Sequence, residues 1–149
     1  MVAQRISVEI NGAALDAGLK RMAATLANPS AAMDQIGRYL VASTLRRFER
    51  ERAPDGKSWL KSTRAIAEGG RTLTDSGRLR GSIAHTVTEG GRAVEVGSNV
   101  LYAAIHQFGG RAGRGRKVAL PARPYLGIDE RDRTNILRIV ARAIERAGT

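Results

Sequence analysis

The chain reads as an α+β fold: a small antiparallel sheet packed with helices, with a long N-terminal helix pair and a closing C-terminal helix. Three observations carry that reading. Apolar residues repeat at helical spacing from Met33 to Phe48, and "SIAHTVTE" and "RAVEVG" alternate around Gly90-Gly91. The last segment opens with acids and continues with an apolar stripe, the pattern of a helix laid on a core.

Ile6, Val8 and Ile10 alternate with Ser7 and Glu9, which predicts a strand ended by Asn11-Gly12. Leu15, Leu19, Met22 and Leu26 then share one helical face, and Asn28-Pro29-Ser30 separates that helix from the next, with Ser30 placed to cap it. In the second helix Met33, Ile36, Leu40, Thr44 and Phe48 form a stripe that Val41 and Leu45 widen. Arg46, Arg47, Glu49, Arg50, Glu51 and Arg52 lie opposite and read as a solvated helix end before Pro54.

"APDGKSWLKST" carries a Pro-Asp-Gly turn and the sole tryptophan, Trp59, and residues 53–70 read as an irregular loop. In "LTDSGRLRGSI", Asp75 or Ser76 is placed to cap a short helical turn. The two alternating runs on either side of Gly90-Gly91 predict a β-hairpin. Leu101, Ile105 and Phe108 in "NVLYAAIHQF" predict a short helix that Gly109-Gly110 stops, and Lys117 to Leu120 a strand. Residues 109–117 between them read as a flexible basic loop, since glycines at 109, 110, 113 and 115 deny it a stable helix. Asp129, Glu130 and Asp132 then open a helix whose apolar face is Ile136, Ile139, Val140, Ala143 and Ile144.

A chain of 149 residues predicts a single domain. Leu, Ile, Val and Phe number 33, against 23 alanines and six aromatics, so the predicted core is thin. Burial against a partner or against copies of the same chain is expected to supply what the core lacks. There is no cysteine, hence neither a disulfide nor a thiolate metal site. "MVAQRISVEI" lacks the apolar stretch of a signal peptide, and no apolar segment nears the ~20 residues of a membrane span. The expectation is a soluble, cytoplasmic chain with no membrane contact. Twenty-five Lys and Arg against 14 Asp and Glu give +11, a field that attracts nucleic acid or an acidic protein face, or that merely keeps the chain soluble.

Catalysis finds little support. His85 and His106 sit in different elements without a second histidine at ligand spacing. Asp129, Glu130 and Asp132 match a metal cluster by count, yet capping a helix start explains them; a metal-dependent nuclease is the remote alternative. Asp75 with Ser76 and Ser82 has no evident base, and "GGRAGRGRK" lacks the ending of a phosphate-binding loop. No cofactor is expected. Arg111, Arg114, Arg116 and Lys117 suit contact with nucleic acid or an acidic partner, because a guanidinium fork matches phosphate or carboxylate. Pro121 and Pro124 read as a rigid extended piece positioning the last helix, or as a polyproline ligand.

Three pieces in order resemble a known family. "LTDSGRLRGSI" is similar to the Leu-x-Asp-(Ser/Thr)-Gly-x-Leu-x-x-Ser-Ile element of bacteriophage tail-completion and head-tail joining proteins. "YAAIHQFGG" resembles their Tyr-Ala-x-x-(His/Glu)-x-Phe-Gly element, and "LPARPYLGI" the Pro-Ala-Arg-Pro-(Phe/Tyr)-Leu segment before the closing helix. The match runs from Leu73 to the C-terminus and is nearest to the phage virion morphogenesis family of Mu-like phages.

The resemblance implies a non-enzymatic virion subunit in a ring at the neck or tail end, around the channel through which DNA leaves the head. Its implied partners are identical subunits, a hexamer being expected, with head connector and tail tube proteins and packaged DNA. Asp75, Gly77, Leu79, Tyr102, Phe108, Gly109, Pro121, Arg123, Pro124 and Tyr125 would be structural or interfacial, and the basic run a loop at a subunit or channel-facing surface. The alternative from charge alone is a nucleic-acid-binding protein acting outside a virion.

Overall fold

The computed structural model describes residues 29–147. The strand predicted at 6–10 and the first helix of the N-terminal pair, over 15–26, lie outside the described residues. Five helices and two two-stranded sheets follow in the order α1 (Ser30–Arg50), α2 (Thr63–Glu68), α3 (Arg78–Gly81), β1 (Ala84–Thr88), β2 (Ala93–Gly97), α4 (Ala103–Phe108), β3 (Gly110–Ala112), β4 (Val118–Leu120) and α5 (Glu130–Ala147). The fold is α+β, with the antiparallel pairing divided between β1–β2 and β3–β4.

These elements gather into two compact units. One is formed by Thr44–Ile83 and Gly97–Gly127, and the other, among the described residues, by 29–43, Ala84–Val96 and 128–147.

The second unit follows the predicted periodicities. Along α1, Met33, Ile36 and Leu40 are buried, and along α5, Ile136 and Val140 are. Gly37 faces the hairpin so closely that a Cβ there would lie 2.3 Å from the His85 ring and 2.8 Å from Val94. His85 Nε2 lies 2.8 Å from Asp34 Oδ1, and this bond is the main cause holding the Asp34 carboxyl below the usual range. Asp129 and Asp132 bond each other's backbone N–H across the start of α5, at 3.0 and 2.7 Å. Asp132 is also buried, accepting from the hydroxyls of Ser43 at 2.5 Å and Tyr39 at 3.1 Å. The acids at this helix start are thus engaged in capping and packing.

The first unit departs further from expectation. The Pro-Asp-Gly turn returns the chain on itself: the Gly56 N–H donates to Ala53 O, and the Trp59 N–H to Glu51 O at 2.8 Å. That return sets Trp59 edge-on against Phe48, with ring centroids 5.6 Å apart, and Tyr125 packs on the same phenyl ring at 5.2 Å.

Several expectations are corrected here. Within 53–70, expected to be irregular, α2 forms because Ser62 Oγ accepts the Ala65 N–H and Gly69 closes the helix at φ 68°. Gly77, at φ 79°, precedes α3, while Ser76 Oγ accepts the Arg78 N–H at 3.3 Å and Asp75 caps nothing. In α4 the expected apolar stripe is turned outward: Leu101 and Phe108 are exposed, and Ala103 and Gln107 are buried. Arg47, expected in solvent, is buried. The basic run lies in a β-hairpin over 110–120 that pairs Gly110 with Leu120, Arg111 with Ala119 and Ala112 with Val118. Its tip is a helical turn at Arg114–Arg116 that Gly113 and Gly115 permit by adopting positive φ.

Candidate functional site

The segment 121–127 organises the first unit, and its two prolines explain how. Pro121 and Pro124 have no N–H, so a strand ladder cannot be completed along this stretch. Its buried backbone groups must find other partners, and side chains provide them. Gln107 Oε1 accepts the N–H of Tyr125 at 3.1 Å and of Leu126 at 3.0 Å, while its Nε2 donates to Leu126 O at 3.0 Å. Arg47 Nη1 donates to Tyr125 O and Gly127 O, at 3.2 and 3.0 Å. Trp59 Nε1 donates to Pro124 O at 2.8 Å, and Tyr125 Oη to Ala103 O at 2.8 Å. Burial pushes the Tyr125 phenol well above its usual pKa, so it stays a neutral donor.

The residues Gly109 and Arg123 tie this segment to α4. Gly109 has φ 73°, and a Cβ on it would meet Ala122 N at 2.7 Å, so the chain passes too close for any side chain. The Arg123 N–H donates to His106 O at 2.8 Å, and Arg123 Nε donates to Leu60 O at 2.7 Å.

The three sequence motifs therefore converge. Leu73, Asp75, Gly77 and Leu79 from the first, Tyr102 and His106 from the second, and Leu120 and Arg123 from the third line one hollow of about 320 Å³. Arg64 and Arg78 also line it, which makes its charge predominantly positive. Asp75 lies at 3.8 Å from Arg64, and Glu68 at 3.5 Å from the same guanidinium. Arg123 is only 5% exposed, and burial pulls its pKa down without uncharging it at neutral pH. The His106 ring stands edge-on to Tyr102 at 5.9 Å. Burial first, and Arg123 second, hold its pKa below the usual imidazole value, so the ring is neutral at pH 7. Its Nδ1 is buried without a hydrogen-bond partner.

The other predicted residues lie around this hollow or apart from it. Tyr125 is fully buried, Pro121 and Pro124 are half-buried, and Phe108 is 68% exposed. Arg111, Arg114, Arg116 and Lys117 supply none of the hollow's lining. They form the exposed basic hairpin, and none makes an ion pair among the described residues. Reading the sequence missed Arg47, Gln107, Arg64 and Arg78. Gln107 stands inside "YAAIHQFGG" between His106 and Phe108, and only its place in that motif was a signal; Arg47 differed in no way from the arginines around it.

The described residues contain no group of His, Asp or Glu placed to hold a metal ion, and no helix long and apolar enough to cross a membrane.

Comparisons with known proteins agree with the resemblance that these motifs carry. The model of the phage virion morphogenesis family matches residues 10–145. The Mu-like prophage FluMu G protein 2 of Haemophilus influenzae is 38% identical over 133 residues, covering 89% of this chain and 91% of that protein. The "Putative capsid assembly protein G" of Escherichia phage Mu is 36% identical over 118 residues, covering 72% of this chain and 74% of that protein. No solved structure matches.

Proposed function

The chain belongs to the phage virion morphogenesis family, with a structural or assembly role in the phage particle, and from that premise we propose that it forms a ring at the neck or tail end of the virion. In this reading the ring surrounds the DNA channel, completes the tail or joins head to tail, and has no enzymatic activity. It touches identical subunits, probing outward to connector and tail tube proteins.

One observation supports the reading above the others. Leu60, Ile66, Leu101, Tyr102, Phe108 and Val118 are six of the seven large apolar side chains exposed among the described residues, and all belong to the motif-bearing unit. Isolated exposed apolar residues are ordinary. Six on one unit, none of them needed to fill its core, suit a surface that neighbouring subunits cover. The unpaired cations of the β3–β4 hairpin suit a polyanion in the channel or an acidic partner face.

Imaging and solution mass measurement test this directly. The purified protein, alone or with a connector partner, is expected to form rings. Phe108→Ser should leave the unfolding transition intact, because the ring is 68% exposed, and should reduce assembly at least tenfold. A strict monomer that never associates with virions overturns the proposal.

The alternative, a nucleic-acid-binding protein outside a virion, is favoured by the same unpaired hairpin. It requires tight duplex binding without any virion partner. Changing Arg111, Arg114 and Arg116 to alanine should then lower the salt slope by about 0.9 for each lost phosphate contact.

A further inference from the structure

The hollow contains two buried polar groups whose bonding is incomplete. Arg123 is 5% exposed, yet among the described residues only its Nε is bonded, to Leu60 O at 2.7 Å. Its two terminal nitrogens, the open side of the guanidinium fork, make no hydrogen bond there and stay within reach of solvent. His106, whose backbone carbonyl receives the Arg123 N–H, has a buried Nδ1 that is also unpartnered. Buried polar groups are almost always paired, and a buried charge needs an opposite one. Arg78, on the same wall, is exposed and makes no ion pair among the described residues.

We propose that this hollow is a receptor for a carboxylate, the side chain of a Glu or Asp in an acidic segment of another virion protein. The proposal rests on the assembly reading, since it supplies that assembly with a specific contact.

The surroundings of the charge select the carboxylate. Leu73, Leu79, Leu120 and the Tyr102 ring line the hollow beside Arg123, so an entering group needs an apolar stem and an anionic end. Glutamate has both. A carboxylate accepts the two parallel N–H bonds of a guanidinium fork, while neutral His106 lines the same hollow without adding charge. A duplex backbone is stiff and convex, and a volume of about 320 Å³ holds one side chain rather than a strand. The exposed hairpin at Arg111–Lys117 is the surface such a backbone can reach. Charge complementarity further favours a different protein as donor, because a second copy brings another +11. Asp75 does not fill the role: it is mostly exposed and its nearest cation is Arg64, at 3.8 Å.

Titration of the full-length protein with capped glutamate, followed by NMR at Arg123 Nε–H and the His106 ring, tests the site. Capped glutamine and inorganic phosphate serve as the other two probes. Saturation by capped glutamate is expected with a dissociation constant on the order of 1 mM, the strength of a single charge-assisted contact. Capped glutamine should give no saturable shift. Arg123→Lys keeps the charge but loses the fork, and should weaken binding about tenfold. Arg78→Gln, on the exposed wall, leaves folding untouched and should weaken it about threefold. No saturation by glutamate, an equal response to glutamine, or tighter occupation by phosphate each overturns the proposal. Ring assembly is read separately by mass. Rings from a protein unresponsive to glutamate sink the receptor alone, and a saturable monomer sinks the ring alone.

Discussion

The two compact units satisfy their backbones by different means. In the unit built from residues 29–43, Ala84–Val96 and 128–147, helices and a hairpin carry the backbone pairing, and the buried side-chain bonds gather at a helix cap and in the Tyr39–Ser43–Asp132 cluster, with His85–Asp34 nearer the surface. Leu137 is its one exposed large apolar residue among those described. The unit built from Thr44–Ile83 and Gly97–Gly127 has a seven-residue proline-interrupted segment at its centre, held by Gln107, Arg47 and Trp59. Interior positions that another fold would give to leucine are occupied there by an amide and a guanidinium. Beside a core of Phe48, Trp59, Leu79, Tyr125 and Leu126, six further large apolar side chains of this unit lie exposed. The regular unit pairs its backbone through its elements; the irregular one uses interior side chains as braces and leaves apolar side chains exposed, the surface that the proposed ring would cover.

The strongest way to break this contrast is Gln107→Ala. It leaves two N–H groups and one carbonyl of the Tyr125–Leu126 backbone without partners in a buried place, a loss of about 3 kcal/mol. Denaturant unfolding measures the total, and hydrogen exchange locates it. Protection should fall first at Tyr125 and Leu126. An equal loss at the amides of β1 and β2 would show that the amide is not a local brace.

In the regular unit the sensitive position is a packing contact. Gly37→Ala forces a methyl group to within 2.3 Å of the His85 ring and 2.8 Å of Val94, in a helix where alanine is otherwise preferred. Overpacking of this kind costs about 2 kcal/mol, so the variant should be less stable despite its better helix propensity. A gain in stability on thermal unfolding would mean that helix and hairpin separate without cost, and the regular unit would lose its claim to tight internal packing.

The same contrast explains what could be read from the sequence. Periodicity found α1, β1, β2 and α5, because each alternates a more covered and a more exposed face along its length. It failed where bonding is between side chain and backbone. The helix at Thr63–Glu68 is shorter than two turns and is set by Ser62 and Gly69, not by an apolar stripe. Leu101 and Phe108 have helical spacing, yet Ala103 and Gln107 take the buried face, since only Gln107 can pair with residues 125 and 126. The motifs in "LTDSGRLRGSI", "YAAIHQFGG" and "LPARPYLGI" were legible as strings; that they meet around Arg123 and His106 was not, because nothing local in the chain encodes a contact seventeen residues away.

The finest test of the contrast uses pH. His106 lies in the braced unit, with Tyr102 against its ring and Arg123 beside it, and burial holds its pKa below the ordinary value. The unfolded chain takes up the imidazole proton near pH 6.5, while the folded chain resists until the pH is lower. Between these points the unfolded state binds more protons, so folding stability falls as the pH drops, and it is fully present above the unfolded value. His85, in the regular unit, bonds to Asp34, whose depressed carboxyl titrates below this window and adds nothing to it. Urea midpoints measured between about pH 7.5 and 5 should therefore decline in the wild type, and decline less in His106→Gln, the smallest effect of the three. If His85→Gln removes the decline and His106→Gln does not, the proton-sensitive interior belongs to the regular unit, and the irregular one is better solvated than its buried arginine implies.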